Sequence, residues 1–342
     1  MNAKSKCPIT VVTGFLGSGK TTLLSRILAR EDMKGTAVLV NEYGKVGLDH
    51  SLLKRIDERT ILLGGGCVCC NMRDDLVKGL RDLLNSYQRG ELAQLDRVVI
   101  ETTGLADPAP ILFTILADPV LVHHFYIDQV VTTVDAVNGE LHLQRQPESI
   151  KQIAVADKVI VTKTDLAEQQ EVEALLSRIK IINPSTSLLS AVFGEVDTET
   201  FFSTSQITLD QNSLQNKLSN NKLAPLNHHI SNIRSIAITF NEPLDWLAFG
   251  IWLSMLLYAR GQDVLRVKGL IDVGEAGPVV LNGVQHIIHP HQHLDNWVEE
   301  DRTSKLVFIM KDIQPTEILE SLEAFQGLIG ASPVLLEVNM NV

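Results

Sequence analysis

The chain has 342 residues, of which 45% are hydrophobic and 21% charged, with a formal net charge of −11 at pH 7. That length exceeds what a single hydrophobic core usually organises, so a larger and a smaller domain are expected. The acidic balance argues against nucleic acid or an anionic membrane as the main partner, and no stretch approaches the ~18 uninterrupted apolar residues of a membrane span.

The first residues, Met1 to Lys6, are polar and basic, and the apolar run Ile9 to Val12 is too short for a signal-peptide core. A cytoplasmic protein is expected. Ile9 to Thr13 reads as a first strand and is followed at once by Gly14-Phe15-Leu16-Gly17-Ser18-Gly19-Lys20-Thr21, then by the helical pattern from Thr22 to Leu28. This is GxxxxGK[ST] in its required strand-to-helix setting. Gly14, Gly17, Ser18 and Gly19 let backbone N–H groups converge on phosphate oxygens, Lys20 neutralises the β and γ phosphates, the Thr21 hydroxyl suits Mg²⁺, and Thr22 belongs to the same nucleotide-binding run. A glycine-rich turn of no chemical consequence would not require every one of these residue types.

Further β-branched runs follow at Thr36 to Asn41, Thr60 to Leu63, Arg97 to Glu101, Gln129 to Val134 and Lys158 to Thr162, with amphipathic segments between most of them. Several lack polar alternation, as strands covered on both faces do, so the first two thirds reads as a parallel sheet wrapped by helices. Between the second and third of these runs lies Gly64-Gly65-Gly66-Cys67-Val68-Cys69-Cys70, which holds three of the chain's four cysteines. Sulfurs at this density point to reduced thiols that hold a thiophilic metal, zinc above all and cobalt or nickel as alternatives, with a redox-sensing thiol pair as the competing reading. Three thiolates leave one position of a tetrahedral zinc open for an incoming ligand, while Cys7, before the first strand, reads as a bystander.

The run Val98-Val99-Ile100 ends in Glu101, placed to bind Mg²⁺, directly or through water, or to help position the attacking water, and Gly104 three residues on can sense the γ-phosphate. Asp135 reads equally well as structural or nucleotide-linked. After Val159-Ile160-Val161 comes Thr162-Lys163-Thr164-Asp165, close to the Asn-Lys-x-Asp element: the Asp165 carboxylate can accept from two donors on guanine, which adenine does not offer, and the Lys163 stem can cover the base. GTP is thereby favoured over ATP. Thr162 stands where Asn is usual, which puts in question one hydrogen bond to the base or to the phosphate loop.

From Ser205 to His229 the chain turns rich in Asn, Gln, Ser and Lys, the composition of a solvated linker. The expected division is 1–205 as the nucleotide domain, 206–232 as linker and 233–342 as a smaller α+β domain. In the latter, Ile233 to Phe240, Val264 to Val273, Val279 to Ile288 and Lys305 to Met310 read as strands, and Leu244 to Leu257 and Thr316 to Leu328 as helices on one face of an open antiparallel sheet. His286, His289, His291 and His293 are dense enough to bind zinc or nickel, although a strand end with a polar turn is the plainer reading. Trp246 and Trp252 read as helix-face packing.

The phosphate loop, Asn41-Glu42-Tyr43-Gly44, the CxCC segment, Glu101 to Pro108 and Thr162 to Asp165 occur in the order seen in CobW-like P-loop GTPases, which the chain resembles over nearly its whole length. Arg266 to Gly269 and Thr303 to Ile309 look like stretches of the CobW C-terminal, ferredoxin-like domain. The resemblance implies a GTP-hydrolysing metallochaperone that delivers zinc or a similar metal to a client metalloprotein. It makes Asn41 to Gly44 the first switch, with Glu42 near Mg²⁺ or the attacking water, and Gly104 to Pro108 the second, with Cys67, Cys69 and Cys70 between them. Relatives commonly have an acid where this chain has Lys45. A metal store or sensor with a regulatory nucleotide site, and a thiol redox-controlled NTPase switch, are the alternatives; a homodimer is left open.

Overall fold

The computed structural model describes residues 6–41, 60–63, 71–203, 233–297 and 301–339. They fall into two compact units, one drawn from Met1–His142, Ala156–Leu176 and Ser187–Ser205, the other from Leu143–Val155, Ser177–Thr186 and Gln206–Val342.

The first unit is organised by seven parallel strands: β1 (Cys7–Gly14), β2 (Thr36–Asn41), β3 (Thr60–Leu63), β4 (Arg97–Glu101), β5 (Phe125–Asp135), β6 (Lys158–Thr162) and β7 (Ser187–Ala191). Their order across the sheet is β3-β2-β4-β1-β5-β6-β7. The apolar runs of β1, β4, β5 and β6 are interior strands with both faces covered; β6 is buried along its full length. Helix α1 (Lys20–Leu28) follows β1, α2 (Asn71–Gln88) precedes β4, and α3 (Ala109–Ala117) and α4 (Pro119–His124) lead into β5. Val12, Leu23, Ile27, Val38, Val99, Val131 and Ile160 share one core with Phe201 of the short helix α8 (Thr198–Phe202). The last turn of α8 is closed by the buried Lys158, whose Nζ donates to the carbonyls of Thr200 (2.6 Å), Phe201 (2.8 Å) and Ser203 (2.9 Å). Burial pushes this amine down to about 8.

Two features of this sheet differ from the sequence reading. Strand β5 begins at Phe125 rather than near Gln129, because its first residues pair with Cys7 to Ile9 ahead of a register shift at Ile9/Thr10. Strand β7 is an additional edge strand whose half-exposed Ser-Leu-Leu-Ser pattern carries little strand signal.

Between β5 and β6 lie α5 (Gly139–Arg145) and α6 (Pro147–Ala154), and between β6 and β7 lies α7 (Gln169–Ile182). The second unit is built on strands β8 (Ile233–Phe240), β9 (Val264–Ile271), β10 (Val279–Val284), β11 (Ile287–Ile288), β12 (Gln292–His293), β13 (Ser304–Lys311) and β14 (Val334–Asn339), with helices α9 (Trp246–Arg260) and α10 (Pro315–Ile329). The order β9-β13-β8-β14, joined as β-α-β-β-α-β, is the split arrangement of ferredoxin-like folds, extended by the β10 hairpin beyond β9. Ile236, Phe240, Phe249, Trp252, Val267, Phe308 and Leu322 form its core, and Trp252 Nε1 donates to Ser321 Oγ at 2.7 Å. Helix α9 starts at Asp245, whose carboxylate accepts from Ala248 N at 2.9 Å, and α10 ends at Gly330 with φ 83°. Arg266, 1% exposed on β9, donates to the Val155 carbonyl at the end of α6.

The run Val279 to Ile288 is a hairpin rather than one strand: Val284 pairs with Ile287, and Gln285 between them takes φ 52°. Gln is not a residue that announces a left-handed turn. Strand β14, pairing with β8, is likewise additional to the sequence reading.

Candidate functional site

The strand order puts β1 between β4 and β5, with β6 beyond, so the carboxyl ends of four strands meet where the chain crosses from one half of the sheet to the other. Crevices at such switch points are where open parallel sheets bind ligands. The loop that leaves β1 there has Gly14, Gly17 and Gly19 at φ 141°, 73° and 89°. At Gly14 a Cβ would overlap the carbonyl and hydroxyl of Thr133, so only glycine lets the loop start so close to β5.

Lys20, 8% exposed, turns its ammonium into the loop, where Nζ donates to the carbonyls of Gly14 (2.7 Å) and Phe15 (3.0 Å). The Ser18 amide donates to Phe15 O at 3.1 Å, and the Ser18 hydroxyl lies 2.6 Å from that of Thr133. The Phe15 ring packs on the ring of His142 with centroids 4.6 Å apart. Burial holds His142 below the ordinary imidazole range, against the pull of Asp135.

Thr21 is the second residue of α1, and its hydroxyl donates to Glu101 Oε1 at 2.7 Å. Glu101 is 4% exposed at the end of β4. A hydroxyl and a carboxylate so placed are hard oxygen donors of the type Mg²⁺ accepts. Immediately beyond, the Thr102 amide donates to Val12 O at 2.9 Å and its hydroxyl to Thr13 Oγ1 at 2.8 Å, tying the exit of β4 to β1. Gly104 follows: a Cβ there would stand 2.6 Å from Leu16 Cδ2 and 2.7 Å from Leu16 N, so the segment after β4 lies directly against the phosphate loop.

From the other side come β5 and β6. Thr162, at the end of β6 and 4% exposed, donates its hydroxyl to the Ser18 carbonyl at 2.8 Å. The loop contact put in question by the exchange of Asn for Thr is therefore made. Lys163 adopts φ 57° and its Nζ donates to Gly17 O (2.9 Å) and to Asp135 Oδ2 (2.8 Å). Asp135 also accepts from the Val137 amide (2.9 Å) and Asn138 Nδ2 (3.0 Å). Burial raises its pKa, but the Lys163 ammonium and these donors outweigh that effect and leave it below the usual carboxylate value. Asp165 is exposed in the turn Thr164–Leu166 that follows Lys163.

Gly14, Gly17, Ser18, Gly19, Lys20, Thr21, Glu101, Gly104, Thr162 and Lys163 are thus gathered at the carboxyl ends of the interior strands, with the exposed Thr22 in the first turn of α1. Asp135, which the sequence left open between a structural and a nucleotide-linked role, anchors Lys163. Two contributors escape a motif search: Thr133 holds Ser18, and Gly194, after β7, sits so that a Cβ would lie 3.1 Å from Thr22 O. The last had a faint signal, a Gly following an apolar run.

Glu42, Lys45, Cys67, Cys69, Cys70 and the linker 206–232 lie outside the described residues. Cys7 is half-buried, and burial, with Asp96 nearby, pushes its thiol up to about 12, as suits a bystander. The four histidines of the small domain are dispersed: His286 Nδ1 bonds Leu257 O at 2.9 Å, His289 is buried, and only His291 and His293 approach each other, at 5.5 Å between centroids. Among the described residues no group of three His, Cys, Asp or Glu side chains is placed to hold a metal. No helix among them is long and apolar enough to cross a membrane.

Residues 8–190 match the family described as CobW/HypB/UreG, nucleotide-binding domain, and residues 233–326 match the cobalamin synthesis protein cobW C-terminal domain. The chain is 33% identical over 321 residues to the zinc chaperone YjiA of Escherichia coli K12, covering 94% of this chain and 98% of that one. It is 35% identical over 197 residues to the zinc-regulated GTPase metalloprotein activator 1 of Schizosaccharomyces pombe, covering 56% of this chain and 47% of the relative. The crystal structure of the Zn(II)-bound YjiA GTPase from E. coli is similar in fold, with a TM-score of 0.66 at 27% identity over 95% of this chain and 99% of that one. With both domain matches in order and a relative aligned nearly end to end, the chain belongs to the CobW/HypB/UreG nucleotide-binding family, in the form that carries a cobW C-terminal domain.

Proposed function

We propose that this chain is a Mg²⁺-dependent GTPase that takes up zinc at Cys67, Cys69 and Cys70 and passes it to a client metalloprotein in the cytoplasm, with the bound nucleotide setting the metal affinity. The observation that carries the hydrolase half is the 2.7 Å contact between Thr21 and Glu101 beside an ammonium enclosed by its loop. Thr21 and Glu101 would hold Mg²⁺, which when bound neutralises charge on the β and γ oxygens. Lys20 supplies the second positive charge at those oxygens, and the amides of the glycine loop bind the phosphates without needing to reorganise. Lys163, fixed by Asp135 and Gly17 O, holds the turn that carries Asp165, whose carboxylate accepts from the two donors on the guanine edge. Glu42 is assigned to the water-activating side of the reaction.

The zinc half rests on the three sulfurs in four residues and on relatives named for zinc handling. The CxCC segment lies in the chain between the first switch, Asn41 to Gly44, and the second, Gly104 to Pro108, and the second packs against the phosphate loop at Leu16. Occupancy of the γ-phosphate site can then bias the arrangement of the sulfurs, and zinc in turn biases nucleotide affinity by the same factor. Three thiolates leave a position through which a client ligand displaces them.

An anaerobic zinc titration against a competing chelator, with a non-hydrolysable GTP analogue, GDP or no nucleotide, tests this reading. Zinc affinity should rise at least tenfold with the GTP analogue, and the rise should vanish in the Cys67→Ala, Cys69→Ala double variant. Equal affinity in all three states would instead mark a metal store, and turnover that depends on thiol oxidation without zinc binding would mark a redox switch.

A further inference from the structure

Strand β7 ends at Ala191, and the chain then reverses: the Glu195 amide donates to Val192 O at 2.9 Å across an isolated antiparallel bridge between these two residues. The central pair, Phe193 and Gly194, take φ 52° and 76°, the two positive values that a type I′ turn requires. Gly suits its position. Phe does not, because the first central position favours Asn, Asp or Gly, and a bulky side chain in the left-handed region is an outlier. Nor does the ring fill a core, since Phe193 is 68% exposed. A strained backbone that leaves an apolar ring in water is the kind of local cost that functional sites retain.

The turn lies at the nucleoside end of the site. Lys20, Thr21 and Glu101 mark the phosphate end, on the β1 and β4 side, whereas Lys163 and Asp165 mark the base end, at the exit of β6. Strand β7 is the next strand along, and its parallel register sets Ala191 beside Thr162, the residue before Lys163. From there the turn folds onto the start of α1, where a Cβ at Gly194 would lie 3.1 Å from Thr22 O and 3.2 Å from Leu23 N. The turn that carries Phe193 thus spans from the exit of β6 to the helix that follows the phosphate loop. A nucleoside joined to loop-bound phosphates crosses that same interval on its way to Asp165.

From this placement we infer that Phe193 is a platform for the nucleobase, its ring stacking on one face of the base while the Lys163 stem covers the other. The inference rests on the guanine-nucleotide reading given above, and it divides the labour of binding between two residues. Every base has a π-face, so the Phe193 ring strengthens the binding of any nucleoside phosphate. The Asp165 carboxylate is then the group that selects guanine. Stacking on the bound base offsets the cost of holding Phe193 in the left-handed region.

Calorimetric titration of the full-length protein with GDP, ADP and pyrophosphate in Mg²⁺ tests the platform. Phe193→Asn removes the ring and suits the turn, so the nucleotide-free variant should melt about 2–4 °C above the wild type. Its GDP affinity should nevertheless fall at least fivefold, while pyrophosphate, which has no base, binds both proteins equally. Phe193→Tyr should bind GDP as the wild type does, and in Phe193→Trp the added tryptophan emission should be quenched by GDP but not by pyrophosphate. An Asn variant that keeps its GDP affinity, or that loses GDP and pyrophosphate alike, overturns the inference. Failure of the guanine reading has a different signature: the wild type would bind ADP as tightly as GDP, and an Asn variant weakened toward both would still support the platform.

Discussion

Replacing Thr162 by Val keeps the shape of the side chain and removes only its hydroxyl, which donates to Ser18 O at 2.8 Å and lies 3.3 Å from Val134 O. The site is 4% exposed, so water does not replace the lost donor readily, and leaving a buried acceptor without one costs about 1–3 kcal/mol. Part of that cost falls on the fold. The rest falls on nucleotide binding, because a phosphate loop released at Ser18 samples conformations that the ligand must exclude again. An affinity loss of about 1–2 kcal/mol corresponds to roughly 5- to 30-fold in Kd. Fluorescent GDP titration of the wild type, Thr162→Val and Thr162→Ser measures it, with thermal melts alongside. Ser keeps the hydroxyl and should bind nearly as the wild type does. A Val variant with unchanged affinity would show that the hydrogen bond to the loop does no work in organising it, and the reasoning built on that contact would fall.

Lys20→Ala should abolish nucleotide binding or turnover while the far-ultraviolet circular dichroism stays native, since it removes the charge enclosed by the loop; normal GTP hydrolysis in this variant would refute the site. Gly104→Ala places a methyl group against Leu16 N and should lower kcat about tenfold with a smaller effect on GDP affinity, read by steady-state kinetics beside a binding curve. The depressed Asp135 carboxyl contributes stability that is fully present above the ordinary unfolded value near pH 4 and is lost as pH falls through its lower folded value. Asp135→Asn should therefore melt below the wild type at pH 7, and the gap should begin to narrow below pH 4 and close only as pH falls through the depressed folded value; a gap that does not narrow with acid would mean the ionised Asp135 carboxylate is not its source.

The phosphate loop was legible because all its parts are consecutive: the strand, three glycines, the lysine and the hydroxyl each act from one short stretch. The interior strands were legible for a related reason, since runs such as Val98-Val99-Ile100 and Val159-Ile160-Val161 have no polar face to present to water. The edge strand β7 was not, because its half-exposed Ser-Leu-Leu-Ser pattern carries little strand signal, and β14 went unread although Val334-Leu335-Leu336 is apolar. The hairpin at Gln285 was not, because its left-handed turn uses neither Gly nor Asn.

For the site, the sequence by itself determined which residue types could meet phosphate, Mg²⁺, guanine and zinc, since those abilities reside in single side chains and short spacings. Only the tertiary structure decided who holds them in place. Ser18 is fixed by Thr162, 144 residues away, and by Thr133, 115 away, while Lys163 is fixed by Asp135, 28 away. Those partners meet because the sheet runs β4-β1-β5-β6 and brings the ends of distant strands side by side. Strand order is set by the packing of the whole chain, which no local pattern of residues encodes.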